Sequence, residues 1–141
     1  MGAFVFADTS GLIARFVEDD AHHRSADRET RRLLREGRPF LTTNYVFDEV
    51  ITRVRRMAGY EPSRRVGEAI LTSRTIHRLY VTEDWERRAW AFYQKFRDHA
   101  LSFTDATSMA IMKAHDIEEV LTFDSDFERA GFVVLPRRSR V

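Results

Sequence analysis

The chain has 141 residues, 43% of them hydrophobic, which suits one domain whose core needs no disulfide or metal to hold it. It contains no cysteine, which excludes disulfide frameworks, thiolate zinc sites and cysteine nucleophiles. The net charge is +1, and nearly all the positive charge is arginine, with lysine only at Lys95 and Lys113. Without a signal-peptide pattern or an apolar run near the ~20 residues of a membrane span, we expect a cytoplasmic protein with no membrane contact.

Short apolar runs alternate with longer amphipathic ones, which predicts an α/β domain with a central, mostly parallel sheet of four to five strands. The predicted strands are residues 3–7, 40–42, 79–81, 119–123 and, at a sheet edge, 132–135. The predicted helices are a short one over 12–17, then 20–36, one from the cap Asn44 to Gly59, 62–74, one from 82–84, one capped by Thr104, and a short turn around Phe127. The domain is expected over residues 1–136, with a basic tail over 137–141.

Acidic residues fall at the positions where such a sheet would form a ligand site. Asp8 and Asp124 each follow a predicted strand, and ligand sites of open α/β sheets lie outside the carboxyl ends of the strands. Asp105 lies at a helix N-terminus, and Glu49 lies on the flank of the apolar face of its helix. Singly, these acids have ordinary alternative interpretations as helix caps, turn residues or solvated side chains.

Carboxylates that converge in one pocket repel each other, and each raises the pKa of its neighbours. A hard divalent cation removes this conflict, since Mg2+ and Mn2+ prefer oxygen ligands.

Four segments together resemble the motifs of PIN-domain ribonucleases, in particular the VapC-type toxins. They are FADTSGLIA (6–14), LTTNYVFDEV (41–50), LSFTDATSMAIM (101–112) and VLTFDSDFERAGF (120–132). The resemblance implies a PIN-like three-layer α/β/α sandwich and an endoribonuclease that depends on Mg2+, with Mn2+ able to substitute. It also implies a homodimer that is the toxin of a type II toxin–antitoxin pair, with RNA as substrate and a cognate antitoxin as partner.

Carried over residue by residue, the resemblance implies Asp8, Glu49, Asp105 and Asp124 as catalytic residues and metal ligands. The first, third and fourth acids would bind the principal metal, and Glu49 would bind a second metal or orient the attacking water. The resemblance also implies three supporting hydroxyl residues, which are Thr9, Ser10 and Thr104.

Two acidic positions allow alternatives. Adjacent helix residues diverge by roughly 100°, and the buried face set by Phe47 and Val50 favours Glu49 over Asp48 as the inward acid. Asp126 is either an outer-shell carboxylate or the cap of the turn before Phe127.

Cations are expected around the acidic pocket, because it would repel the RNA backbone. The candidate RNA-binding residues are Arg15, Arg53 and Arg56, together with Arg137, Arg138 and Arg140 of the tail. A stripe of aromatic residues is expected in the core, with the alternative that part of it faces a dimer mate or an antitoxin helix. These residues are Trp85, Trp90, Phe92, Tyr93 and Phe96.

Two other functions compete with the nuclease hypothesis. One is a catalytically inactive PIN-like module that binds nucleic acid or protein, which the four intact acids disfavour. The other is a different Mg2+-binding α/β domain, such as a phosphatase or a signalling receiver. A phosphatase would need a second Asp at Ser10, and a receiver would need an acidic neighbour beside Asp8.

Overall fold

The computed structural model describes residues 3–137, so Arg138 and Arg140 of the predicted basic tail lie outside the described residues. Within that range the chain forms five strands and seven helices. The strands are β1 Val5–Ala7, β2 Phe40–Thr43, β3 Ile76–Leu79, β4 Glu119–Leu121 and β5 Val133–Leu135. The helices are α1 Thr9–Phe16, α2 His23–Arg35, α3 Asn44–Ala58, α4 Tyr60–Thr72, α5 Glu83–Lys95, α6 Phe103–Ala114 and α7 Asp126–Arg129.

The strands form one sheet in the order β3-β2-β1-β4-β5, and every neighbouring pair is parallel. Side chains of β1 point alternately to the two faces of the sheet, yet Val5, Phe6 and Ala7 are all fully buried. Helices therefore cover both faces at the centre, as in other parallel sheets. The predicted α/β/α sandwich is confirmed, and so is the placement of the last strand, β5, at an edge.

The third strand was predicted wrongly over residues 79–81. In the structure β3 is Ile76–Leu79, and its register pairs Phe40 with Ile76 and Thr43 with Leu79. An edge strand is partly exposed and can carry polar residues, so β3 lacks the apolar pattern by which strands are predicted from sequence. Val81 has already left the sheet, and its backbone N–H donates to Asn44 Oδ1 at 2.6 Å.

That hydrogen bond also explains why the predicted cap of α3 was wrong. The Asn44 side chain accepts the hydrogen bond from Val81, in the segment after β3, and does not cap α3. Thr43 is the N-cap instead, and its hydroxyl accepts the Val46 N–H at 3.1 Å. Gly59 ends the helix as predicted, with a φ of 93° that L side chains rarely adopt.

The aromatic stripe on α5 divides between core and surface. Trp85, Phe92 and Phe96 are partly buried and pack against the core, as predicted. Trp90 and Tyr93 instead remain 54% and 37% exposed. Among residues 3–137, no helix combines the length and apolar character needed to cross a membrane.

Helix α1 packs unusually close to β4 at Gly11. A Cβ atom at this position would lie 2.2 Å from the backbone oxygen of Leu121 and 2.8 Å from its carbonyl carbon. These atoms belong to the backbone of Leu121, which is fully buried, so they cannot move aside. Glycine is therefore required here for close packing of the helix on the sheet.

We predict that Gly11→Ala lowers the free energy of unfolding by about 3 kcal/mol, because the added methyl forces the helix away from the strand. Urea denaturation monitored by circular dichroism measures the change. Gly67→Ala is the matched control, since its methyl would meet the flexible tip of Ile51 at 3.1 Å and the ring of Phe47 at an ordinary contact distance of 3.7 Å. An unchanged urea midpoint for Gly11→Ala would contradict this account of the packing.

Candidate metal centre

Three carboxylates meet at the carboxyl end of the sheet. Asp8, Asp105 and Asp124 each offer one oxygen, and these oxygens all lie within 4.8 Å of one another. Asp8 follows β1, Asp124 follows β4, and Asp105 lies in the first turn of α6. The exposed fraction of Asp8 is 2% and that of Asp105 is 6%. This is the convergence that strand-end topology predicted for the first and last of these acids.

The backbone brings Asp8 to β4 directly. Ala7 is paired in register with Leu121, and the Asp8 N–H donates to the Leu121 carbonyl at 3.2 Å. Asp8 occupies the N-cap position of α1, but its side chain accepts no capping hydrogen bond. Its carboxylate is therefore free to point into the acid cluster rather than to cap the helix.

A hydroxyl network orients Asp8. Thr122 donates to Asp8 Oδ2 at 2.9 Å, and its oxygen accepts the Asp124 N–H at 3.0 Å. The Ser10 hydroxyl lies 3.0 Å from Thr122 Oγ1 and accepts the Phe123 N–H at 2.9 Å. Since the proton of Thr122 goes to Asp8, Ser10 donates to Thr122.

Thr122 was missed among the predicted site residues. Its signal in the sequence is the threonine that opens the TFDSDF segment, two residues before Asp124. Of the two hydroxyl residues predicted beside Asp8, Ser10 joins the network. The hydroxyl of Thr9 is buried without a hydrogen-bond partner among the described residues.

Asp105 is held by a capping box at the start of α6. Its N–H donates to the Ser102 hydroxyl at 3.0 Å, and its Oδ2 accepts the Ser102 N–H at 3.4 Å. Ser102 is therefore the N-cap, and the prediction that Thr104 caps this helix was wrong. Thr104 lies inside the first turn and lines a surface pocket with Tyr45 and Asp48.

Glu49 and Asp48 lie in different surroundings on α3. The Glu49 side chain is 23% exposed, and it pairs with Arg53 Nη2 at 3.5 Å. It lies close enough to Asp105 for its charge to raise the pKa of that carboxyl. Asp48 is exposed. Glu49 therefore borders the acid cluster without belonging to the three oxygens within 4.8 Å.

Asp126 lies beside the cluster and also begins α7. Its N–H donates to Asp124 Oδ1 at 2.9 Å, and its own Oδ1 accepts from Arg129 at 3.2 Å. Burial raises the pKa of Asp126, and the charge of Asp124 raises it further. The N-cap position of α7 is Ser125, so the alternative in which Asp126 caps this turn is wrong. The outer-shell alternative stays a prediction.

Burial dominates the electrostatics of the centre. Desolvation and then the charge of Asp105 raise the pKa of Asp8 to about 7, against the lowering effect of the nearby Thr9 backbone N–H and of the Thr122 hydroxyl. Desolvation, followed by the charge of Asp124, raises the pKa of Asp105 to about 6. The second oxygen of Asp8, Oδ1, is buried with no hydrogen-bond partner among residues 3–137. A carboxylate that keeps such an oxygen and lies in a cluster with two other carboxylates fits a hard divalent cation.

The predicted RNA-binding arginines are not all brought to this centre. Arg53 contacts Glu49. Arg56 is exposed and lies seven residues beyond Glu49, on the same side of α3. The guanidinium of Arg15 instead lies over the rings of Phe16 and Phe40, at 4.7 Å and 5.6 Å from their centroids. Because Phe40 begins β2, Arg15 points toward the amino end of the sheet, away from the acids.

A wholly parallel α/β sandwich with a buried carboxylate centre at its carboxyl end defines a class of metal-binding domains. The model of the PIN domain family matches residues 5–133. The chain therefore belongs to the PIN domain family, and the resemblance inferred from the four sequence motifs is confirmed.

Individual relatives agree with this assignment. The chain is 35% identical over 131 residues to the 23S rRNA-specific endonuclease VapC20 of Mycobacterium tuberculosis, covering 92% of this chain and 95% of that protein. The crystal structure of VapC20, a sarcin–ricin loop cleaving toxin, has a TM-score of 0.80 at 34% identity, covering 92% of this chain and 96% of that one. VapBC2 from Rickettsia felis, solved with a DNA fragment from its promoter, shares the fold with a TM-score of 0.70 at 10% identity, covering 93% and 96%.

We predict that Thr122→Val weakens divalent-cation binding by about tenfold or more, because Asp8 and Asp124 lose the hydroxyl that positions them. Titration with Mn2+ by isothermal calorimetry measures the affinity. Thr30→Val is the matched control, since the Thr30 hydroxyl is equally buried but has no hydrogen-bond partner among residues 3–137. Equal Mn2+ affinities for the two variants would contradict the positioning role.

The raised carboxyl pKa values predict how the stability of the cation-free protein depends on pH. Between pH ~4 and pH ~7 the folded state retains protons on Asp8 and Asp105 that the unfolded state has released. The free energy of unfolding in EDTA should therefore fall as the pH rises through this window. Asp8→Asn should flatten most of the fall, and excess Mg2+ at pH 7.5 should restore stability to the wild type. Urea denaturation across the pH series tests this, and a wild-type profile that rises with pH would refute it.

Proposed function

We propose that this protein is a Mg2+-dependent endoribonuclease, with Mn2+ able to substitute, and that it cleaves the sarcin–ricin loop of 23S rRNA. The observation that carries the proposal is the cluster of Asp8, Asp105 and Asp124, whose oxygens lie within 4.8 Å in a chain 35% identical to VapC20. The 35% identity, which extends over 92% of this chain, supports transfer of the substrate class as well as the chemistry.

The three clustered acids would hold the cation, which when bound supplies Lewis-acid chemistry at the scissile phosphate and lowers the pKa of water. Thr122 and Ser10 fix the orientation of Asp8, so that little reorganisation is needed on binding. Glu49, which is partly exposed and near Asp105, would orient the attacking water. Attack by water leaves a 5′-phosphate and a 3′-hydroxyl, and it does not use the RNA 2′-hydroxyl as nucleophile.

The positive rim of the site would come from α3. Arg53 and Arg56 follow Glu49 at spacings of four and seven residues, so the three side chains lie along one side of the helix. Their guanidinium groups can contact the phosphates that flank the scissile bond. Arg15 has no part in this rim, because its guanidinium is directed toward the other end of the sheet.

We also propose that the protein is the toxin of a type II pair, working as a homodimer and restrained by a cognate antitoxin. Large apolar side chains remain exposed on two sides of the molecule. Met57, Tyr60 and Leu71 lie on the α3–α4 side, and Trp90 and Tyr93 lie on α5. Apolar residues left exposed on a soluble domain are typical of surfaces that a partner protein covers.

Cleavage of purified ribosomes and of a sarcin–ricin loop oligonucleotide, with primer extension to locate the ends, tests the function. We predict one cut in the loop that requires Mg2+ or Mn2+, and a loss of at least ~100-fold in rate for Asp8→Asn and Asp124→Asn. Asp48→Asn is the matched control, because it changes an exposed acid next to Glu49 and should keep nearly full activity.

The outcomes separate the parts of the proposal. Undiminished cleavage by Asp8→Asn would refute the metal assignment, and a cut in another RNA would refute the substrate alone. A wild-type protein that cuts neither RNA would favour the inactive binding module. The same assay tests the partner, since the product of a neighbouring antitoxin gene should block cleavage when added.

A further inference from the structure

Helix α2 carries a band of arginines that the acid centre does not use. The core side of this helix is formed by Ala26, Thr30 and Leu33, which are buried. The opposite side of the helix is exposed and basic. Its arginines are Arg24, Arg28, Arg31, Arg32 and Arg35.

Part of this positive charge is neutralised within the helix, and part is not. Arg31 pairs with Asp27 at 3.0 Å, and Arg32 pairs with Glu29 and Glu36. Among residues 3–137, no carboxylate lies within 4.0 Å of the guanidinium nitrogens of Arg24, Arg28 or Arg35. These three side chains are therefore available to bind an external anion.

The band borders a groove, which we call the α2 groove. It has a volume of about 570 Å3 and runs between α2 and the segment after β5. Its charged and polar lining residues are Ser25, Arg28, Glu29, Arg32, Arg35 and Arg137. Four arginines against one glutamate give the groove a strongly positive lining, with donors arriving from two separate parts of the chain.

The start of α2, the helix that lines the groove, lies next to the acid centre. His22, at the N-cap of α2, stacks on Phe123 with ring centroids 4.3 Å apart and planes 7° apart. Phe123 adjoins Asp124 in the chain. From His22 the helix rises about 1.5 Å per residue, which places Arg28 roughly 9 Å and Arg35 roughly 20 Å along it. An RNA strand leaving the centre past Asp124 would meet these arginines within a few nucleotides.

We propose that the α2 groove binds the phosphodiester backbone of the RNA substrate, on the Asp124 side of the acid centre. The inference rests on the proposed function and adds where the substrate is held. Arginine suits this task because its planar fork meets phosphate oxygens in pairs. The carboxylates at the centre repel the RNA phosphates, so positive side chains beside the centre are required to bind the RNA backbone. The nearness of the start of α2 to Asp124 favours RNA over an acidic protein segment as the occupant.

The test compares Arg28→Gln/Arg35→Gln with Arg74→Gln/Arg87→Gln, a control that loses the same charge from two exposed arginines elsewhere. All binding measurements carry Asp124→Asn, which prevents cleavage. Fluorescence anisotropy with a labelled sarcin–ricin loop RNA is recorded across a salt series. Each lost phosphate contact should reduce the slope of log affinity against log salt by about 0.7 on a single strand.

For the groove variant we expect about tenfold weaker binding and a salt slope smaller by about 1.4, with the control unchanged. Arg28→Lys/Arg35→Lys should recover most of the slope, since the charge is restored. In the cleavage-competent protein, the groove substitutions should raise KM and leave kcat unchanged.

Equal affinity and equal slope for the groove variant and its control would overturn the proposal. A groove that binds a protein partner and not RNA would give this result. A complete lack of RNA affinity in the Asp124→Asn protein would overturn it too. If the protein binds RNA through the groove but cuts none, the nuclease proposal fails while the groove proposal stands.

Discussion

The carboxyl ends of β1 and β4 are joined side by side, and the rest of the site depends on that junction. Ala7 pairs with Leu121, the Asp8 N–H donates to the Leu121 carbonyl, and Gly11 allows α1 to rest against the same residue. The junction brings the buried Asp8 next to Asp124, which is partly buried. Burial of Asp8 and then the charge of Asp105 raise its pKa to about 7, and the charge of Asp124 raises this pKa by less.

Local hydrogen bonds only partly stabilise the charged carboxylates. The Thr122 hydroxyl donates to the Asp8 carboxylate and accepts the Asp124 N–H, and Ser102 forms a capping box with Asp105. Within the described part of the chain, residues 3–137, one oxygen of Asp8 still has no hydrogen-bond donor. A fold that keeps such a cluster holds a site prepared for a cation, because the bound ion would relieve both the repulsion and the missing hydrogen bond. The same cluster of carboxylates that would bind the cation therefore also destabilises the cation-free fold.

Charge is divided between separate surfaces around the centre. The carboxylates occupy the carboxyl end of the sheet, Arg53 and Arg56 lie along α3, and the arginines of the α2 groove lie beyond Asp124. A net charge of +1 conceals this separation, since opposite charges cancel in the sum but not in space. A polyanion approaching the molecule would meet cations on the flanks and acids only at the point of reaction.

The sequence alone determined the fold class, the edge position of β5 and the motifs of the PIN domain. Those properties follow from apolar periodicity and from the order of the motifs along the chain. It also placed Asp8 and Asp124 at one end of the sheet, because parallel strands end on the same side. It misplaced β3, since His77 and Arg78 lie exposed on an edge strand and break the apolar pattern.

Only the tertiary structure decided which hydroxyls and cations serve the site. Ser102 rather than Thr104 caps α6, and Thr122 bridges Asp8 and Asp124 across more than 100 residues of chain, as its separation of 114 from Asp8 shows. Arg15 is directed away from the acids by its packing on Phe40. Such choices depend on distances between segments far apart in the chain, and a linear pattern carries no information about those distances until the sheet has formed.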